Sequence, residues 1–255
     1  MRYFQAYRFL FESPKWMTNL MIGAVCLIVP IVGQMVFQGY FFDIMEDKLR
    51  SRKGKGYPDF NFDRLMPYLV RGAWPFLIQY VLQLPLQMVS GGFALYIQFS
   101  VLSSMRPATP GGPPRIGDFP WALVLIFVGV VIVLGLVIGL ITVPLSLRAG
   151  LGQDFAKAFN LSFFREFLGK MWVELILVEL FLMVTAPFVI AAGLLLCCIG
   201  VLPAAALVTF AQYHLWYQLY ELYLEKGGTP IPLKEPEPPT EPAEGPRHYP
   251  ADEEN

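Results

Sequence analysis

Residues 121–147 read WALVLIFVGVVIVLGLVIGLITVPLSL, from Trp121 to Leu147, without one Asp, Glu, Lys or Arg. An α-helix rises about 1.5 Å per residue and a bilayer's hydrocarbon core is about 30 Å thick, so a run of this length and chemistry suits a crossing. Lipid offers no partner to a backbone N–H or C=O, which makes the run helical. Three more stretches lack those four residue types: Trp16 to Phe42, Gly72 to Met105 and Leu180 to Tyr220. The fold class is therefore all-α, a polytopic helical membrane protein.

Composition agrees. The 255 residues are 55% hydrophobic and 15% charged, with a mean hydropathy of +0.50. A soluble domain carries about 25% charged residues. The net charge of −1 supplies no field for nucleic acid. Cys26, Cys197 and Cys198 all fall in apolar runs without CxxC spacing, and read as small packing residues. No small-x-small cleavage site follows the first apolar run, which is expected to stay as a signal anchor.

Leu180–Tyr220 is too long for one crossing, and Gly200 and Pro203 interrupt it, so it reads as a hairpin. The simplest count is five spans, near 17–42, 73–104, 120–147, 170–196 and 201–224. Pro30 and Gly33 sit mid-run in the first span. The alternative count is six, with that span a short hairpin whose arms of about 14 residues fall below the roughly 20 of a full crossing.

Basic residues orient the chain. The 43–71 connection carries Lys48, Arg50, Arg52, Lys53, Lys55, Arg64 and Arg71; the 148–170 connection carries Arg148, Lys157, Arg165 and Lys170. Both, with the C-terminus, are expected in the cytoplasm of a cytoplasmic (inner) membrane. Five spans place the N-terminus outside; the hairpin alternative places it inside. The 48–55 cluster fits anionic headgroups or topology setting alone.

Phe155, Phe159, Phe163 and Phe167 repeat every four residues behind a capping Asp154, which reads as an interfacial helix. Tyr3, Tyr7 and Phe11 repeat the spacing before the first apolar run, a hint of an internal repeat of surface helix plus hairpin. Met105–Pro120 holds five Pro and three Gly and reads as an external loop. Residues 1–226 form the helical domain. Residues 227–255 hold eight Pro and seven acidic residues and are expected to be a disordered tail, either a polyproline II docking ligand for a protein partner or simply solvated chain.

Enzyme signatures are missing: no P-loop, HExxH, GxSxG or dinucleotide fingerprint occurs, and no cofactor or metal set is expected. The sharper signal is polar residues inside the runs. Gln79, Gln83 and Gln87 share one helix face at i, i+4 and i+8. Glu179 and His214 lie in the last two spans. Counted from the cytoplasmic ends, Glu179 falls at a depth of about 14 Å, and Gln83 and His214 at about 15 Å. Gln79 falls at about 9 Å and Gln38 at about 6 Å. Gln38, Gln79, Gln83, Glu179 and His214 thus form a candidate intramembrane polar layer. One use is interhelical glue; the other is a proton- or solute-binding layer. With no nucleophile beside the Glu179–His214 pair, the chain is not expected to be an enzyme. A non-enzymatic accessory or scaffold protein leads, and a small transporter is the alternative. Membrane lipids are the expected partners, and oligomeric state is open. Gly129, Gly135 and Gly139 permit close packing against a helix not named by the sequence.

The chain also resembles a family of bacterial membrane proteins, domain of unknown function four-zero-one-three. The resemblance is carried by Phe9-Leu10-Phe11-Glu12-Ser13-Pro14-Lys15-Trp16, Leu27-Ile28-Val29-Pro30-Ile31-Val32-Gly33, Gly39-Tyr40, Phe60-Asn61-Phe62-Asp63-Arg64-Leu65, Phe155-Ala156-Lys157-Ala158-Phe159 and Leu196-Cys197-Cys198-Ile199-Gly200. It covers about residues 3–225, with the loop at 106–120 reading as an insertion. It implies a prokaryotic cytoplasmic membrane and names no catalytic residue.

Overall fold

The computed structural model describes residues 1–50, 58–104, 121–195 and 200–234, and every regular element among them is helical. The first apolar run is broken. Pro30 has no N–H to extend a helix. Ile31 takes a left-handed φ of 62°, and the Val32 N–H donates to the Pro30 carbonyl at 2.7 Å. Helix α2 (Trp16–Ile28) therefore ends and α3 (Val32–Arg50) folds back along it. Gly33 allows the closure, because a Cβ there would sit 2.1 Å from the Cys26 carbonyl oxygen. Further from the turn, Gly23 of α2 lies against the Phe37 ring of α3. Of the two readings of this run, the structure takes the hairpin, not the single crossing of the five-span count. The 13 residues of α2 extend only about 20 Å.

Polar ties fix the open end of this hairpin. Ser13 Oγ donates to Asp59 at 2.6 Å, Asn19 Nδ2 donates to the same carboxylate at 3.1 Å, and the Phe60 N–H donates to Asn19 Oδ1 at 3.2 Å. The start of α2 and the segment entering the next long helix, α4 (Leu65–Ser104), thus meet at one end of the bundle, called the basal end below. Lys48 at the end of α3 lies over the Phe9 ring, and the Arg2 N–H donates to Gln218 near the end of the last helix, α8 (Val201–Glu225). The N-terminus is basal too.

The long helices are α4 (Leu65–Ser104), α5 (Trp121–Gly152), α7 (Leu161–Leu195) and α8 (Val201–Glu225); α1 (Gln5–Arg8) and α6 (Phe155–Ala158) are single turns. Three stretches are long and apolar enough to cross a membrane: Phe62–Leu102, Trp121–Gly152 and Leu161–Leu195. Helix α8, at 25 residues, has the length but carries Gln212, His214 and Gln218. Pro75, Pro85, Pro144 and Pro187 lie within the long helices, where neighbouring helices can satisfy the freed carbonyls.

Helices α3 and α4 cross through glycine. A Cβ on Gly72 would lie 1.7 Å from the Met35 carbonyl oxygen, and one on Gly39 would lie 1.8 Å from that of Tyr68. The core around this crossing is aromatic: Phe37, Tyr40, Phe41 and Phe42 meet Phe210, Tyr213 and Trp216, with Phe41 and Tyr213 stacked at 4.4 Å. Distally, α4 and α5 contact each other, as in the Phe93–Phe127 stack at 3.6 Å, and expose large apolar side chains outward.

The phenylalanine series does not form one interfacial helix. Asp154 caps α6 by accepting the Lys157 N–H at 3.2 Å, as its position implies. Asn160 then accepts the Phe163 N–H at 2.9 Å and starts a second helix, α7. This change of axis turns Phe163 and Phe167 inward onto Tyr223 while Phe159 stays exposed. The Tyr3/Tyr7/Phe11 series also divides. Tyr3 and Tyr7 pack on Phe181, whereas Phe11, within a single 3-10 turn (Phe9–Glu12), packs on Trp16.

Residues 227–234 do not leave the bundle. The Ile231 N–H donates to the Tyr220 hydroxyl at 2.7 Å, the Ile231 side chain is buried, and Arg50 donates to the Lys234 carbonyl at 2.6 Å. Gly227, at φ 70°, makes the turn from α8 into this strap. The expected disordered tail beyond it (235–255), the external loop at 105–120, Cys197 and Cys198, and Arg52, Lys53 and Lys55 lie outside the described residues.

Candidate functional site

The five candidate residues occupy four different environments. Gln38 of α3 and Gln79 of α4 form one of them. Gln38 Nε2 donates to Gln79 Oε1 at 3.2 Å, and Gln79 Nε2 donates to the Tyr213 hydroxyl of α8 at 3.3 Å. One amide group thus joins three helices beside the glycine crossing. Gln38 is 9% exposed, so the donors and acceptors there are partnered inside protein.

Gln83 and Gln87 do not continue the network. Both are exposed on the stretch of α4 that leaves the core, and among the described residues no side-chain hydrogen bond reaches either. A helical face is shared only while the helix has neighbours along it, and beyond Gln79 the ring contact of α4 is with α5, at Phe93–Phe127.

Glu179 faces α5. Its carboxyl occupies the space a side chain at Gly139 would fill, 2.9 Å from a Cβ built there. This assigns the third apolar helix its small-residue contact: Gly139 meets α7, whereas nothing lies within 4 Å of a Cβ on Gly129 or Gly135. Thr142 Oγ1 and Ser146 Oγ, on the same helix, are buried without a hydrogen-bond partner among the described residues.

His214 is elsewhere. Its ring stacks on Phe9 at 4.1 Å, beneath Lys48, and borders a basal cleft of about 440 Å³ shared with Glu12, Tyr217 and Glu221. The neighbours they show place Glu179 against α5 and His214 against the N-terminal arm, and no hydrogen bond joins the two among the described residues.

The most connected polar group went unread in the sequence. Arg64 grips Asp43 with two hydrogen bonds of 2.6 and 2.8 Å. Arg71, 6% exposed, reaches Asp43 at 3.3 Å, pairs with Glu46, and donates through Nε to the Gly150 carbonyl at 3.1 Å. Arg50 completes the set on Glu46 at 2.6 Å. Arg50, Arg64 and Arg71 register in the sequence only as orienting charges. The signal for more was Asp43 and Glu46 one turn apart at the end of an apolar run. Buried charges need such partners, and the planar guanidinium of Arg suits paired carboxylate recognition. The cluster borders a basal cleft of about 620 Å³ that also takes in Gln153 and Lys234. Outside the helices, Asp154 has its acidity increased, first by the Lys157 N–H it accepts and then by the Lys157 side chain.

No group of three or more His, Cys, Asp and Glu suited to a metal ion occurs among the described residues. No curated protein and no solved structure matches the chain. The profile of a protein family of unknown function, DUF4013, matches residues 22–211, from the middle of α2 to the middle of α8. That stretch contains the hairpin turn, the glycine crossing, the Gln38–Gln79 pair and the arginine cluster, and on it the chain belongs to the DUF4013 family.

Proposed function

We propose that this is a non-enzymatic accessory or scaffold protein of a cytoplasmic membrane, its basal end in the cytoplasm. Helices α4, α5, α7 and α8 cross fully, and the α2–α3 hairpin enters from the basal side and returns. Both described termini then share the basic side, with Arg64, Arg71, Arg148, Lys157, Arg165 and Lys170. The observation that carries the reading is the Gln38–Gln79–Tyr213 tie. It spends the deepest partnered amides on holding helices together. The clefts of about 440, 620 and 660 Å³ are lined by basal residues and the N-terminal arm, and none is lined by Gln38, Gln79 or Glu179. The basal surface, with its clefts and strap, is what such a protein offers to partners or headgroups.

The test is ion and solute flux in proteoliposomes, read beside thermal stability in detergent, for wild type, Gln79→Leu and Glu179→Gln. Lost stability in Gln79→Leu with no flux in any protein supports the reading. A flux that wild type sustains and Glu179→Gln abolishes, at unchanged stability, replaces it with a transporter.

A further inference from the structure

Helix α4 carries a polar stripe that its own bundle leaves unused. Gln83, Gln87, Gly91, Ala94 and Gln98 recur at spacings of four, four, three and four residues, which keeps them on one flank of the helix. All five are exposed, and nothing lies within 4 Å of a Cβ built on Gly91. The residues that face α5 are others, Phe93 among them. Gln83 lies about 18 Å further along α4 than Arg71, and Gln87 about 24 Å, depths at which lipid tails offer no hydrogen-bond partner.

We infer that this flank is the interface of a parallel homodimer, in which α4 packs on α4 of a second copy. A carboxamide is donor and acceptor at once, so a glutamine satisfies an identical glutamine opposite it. A two-fold axis along the membrane normal brings each residue against its own copy at the same depth, and the contact is self-complementary without any other sequence. Gly91 and Ala94, between the glutamines, let the two backbones approach. No charged residue interrupts the flank from Gly72 to Met105. The inference rests on α4 crossing a bilayer, and it extends the proposed function by naming a second copy as the partner inside the membrane.

The experiment is Förster transfer between donor- and acceptor-tagged full-length chains in vesicles at increasing lipid dilution, with insertion scored in the same samples by flotation. Wild type is expected to associate. Gln83→Leu with Gln87→Leu should weaken association about tenfold or more, and Gly91→Ile should abolish it. Gly129→Ile, at an equally open glycine on α5, should associate as wild type does. These side chains touch little within one copy, so melting temperatures should stay together. Inserted wild type that remains monomeric at every dilution overturns the dimer while leaving the membrane reading intact. So does a leucine double variant that associates as tightly as wild type. Protein that fails to float with the vesicles overturns both.

Discussion

Alanine at Gly72 should force α3 and α4 apart. The added methyl would begin 1.7 Å from the Met35 carbonyl oxygen and 2.6 Å from the Gly39 nitrogen. Both are backbone atoms, so no rotamer change relieves the contact. The helices must part by about 1.3 Å to reach the roughly 3.0 Å at which real Cβ contacts begin. Overpacking of this kind costs about 1–3 kcal/mol, and the rigid neighbour argues for the upper end. The same shift stretches the 3.2 Å Gln38–Gln79 bond past hydrogen-bonding range, a further loss of about 0.6–1.7 kcal/mol. Alanine's better helix propensity returns about 1 kcal/mol. The net is about 3 kcal/mol, or a fall in melting temperature on the order of 10 °C for a chain this size. The assay is thermal unfolding in detergent, with Gly129→Ala and Gly135→Ala as controls. Those two meet nothing within 4 Å and should match or slightly exceed wild type. Equal melting temperatures for Gly72→Ala and Gly129→Ala would refute the close crossing and, with it, the packing order of the core.

Gln79→Leu should lower stability by about 1–2 kcal/mol through its lost bonds to Gln38 and Tyr213, while Gln83→Leu, one turn on, leaves the melting temperature of the single chain unchanged. Arg71→Ala should cost about 1.5–3 kcal/mol, because it removes the buried guanidinium from Asp43, Glu46 and the Gly150 carbonyl while Arg64 and Arg50 still hold the two carboxylates; a melting temperature equal to wild type would contradict the cluster. Ile231→Ala should cost about 2–4 kcal/mol by emptying a buried site, whereas truncation after Lys234 should leave the melting temperature where it was. Asp154 has a folded-state pKa below its ordinary 3.8, so its capping contribution is complete above that value and is lost only as pH falls through the lowered one. Hydrogen exchange at the start of α6 should therefore stay constant from neutral pH to about pH 4, after allowance for intrinsic rates, and lose protection below it.

Helical class and the positions of the later helices were legible because both follow from where charges are absent. The apolar runs at 121–147 and 180–220 correspond to α5 and to the α7–α8 pair, and the Gly200–Pro203 break falls where the structure turns. The first run was read less well because proline inside a membrane helix has two outcomes, kink or turn, that look alike in sequence. What decides between them here is distant: the Ser13–Asp59–Asn19 tie holds the start of α2 to the segment after α3. The polar layer was counted along helix axes and carries no information about rotation. Gln38 and Gln79 meet because α3 and α4 cross at glycine beside them. Gln83 is exposed on α4, while His214 lies against Phe9 at the basal cleft and Glu179 against Gly139 of α5. The arginine cluster was hidden because an orienting arginine and a paired one are the same letter; only the burial of Asp43 separates them. The strap at 227–234 was missed because its composition is that of the tail, its one buried side chain is Ile231, and its other ties are polar bonds to Glu166, Lys170 and Arg50.

The most direct measurement is the sidedness of the two termini, read with compartment-sensitive reporters fused at Met1 and after Lys234 in intact cells. The α2–α3 hairpin and an even number of full crossings predict both reporters in the cytoplasm. An N-terminal reporter outside with a C-terminal one inside would mean that the first apolar run crosses as one span. The turn at Pro30, the basal ties of Ser13 and Asn19, and the arrangement of helices drawn from them would then be wrong.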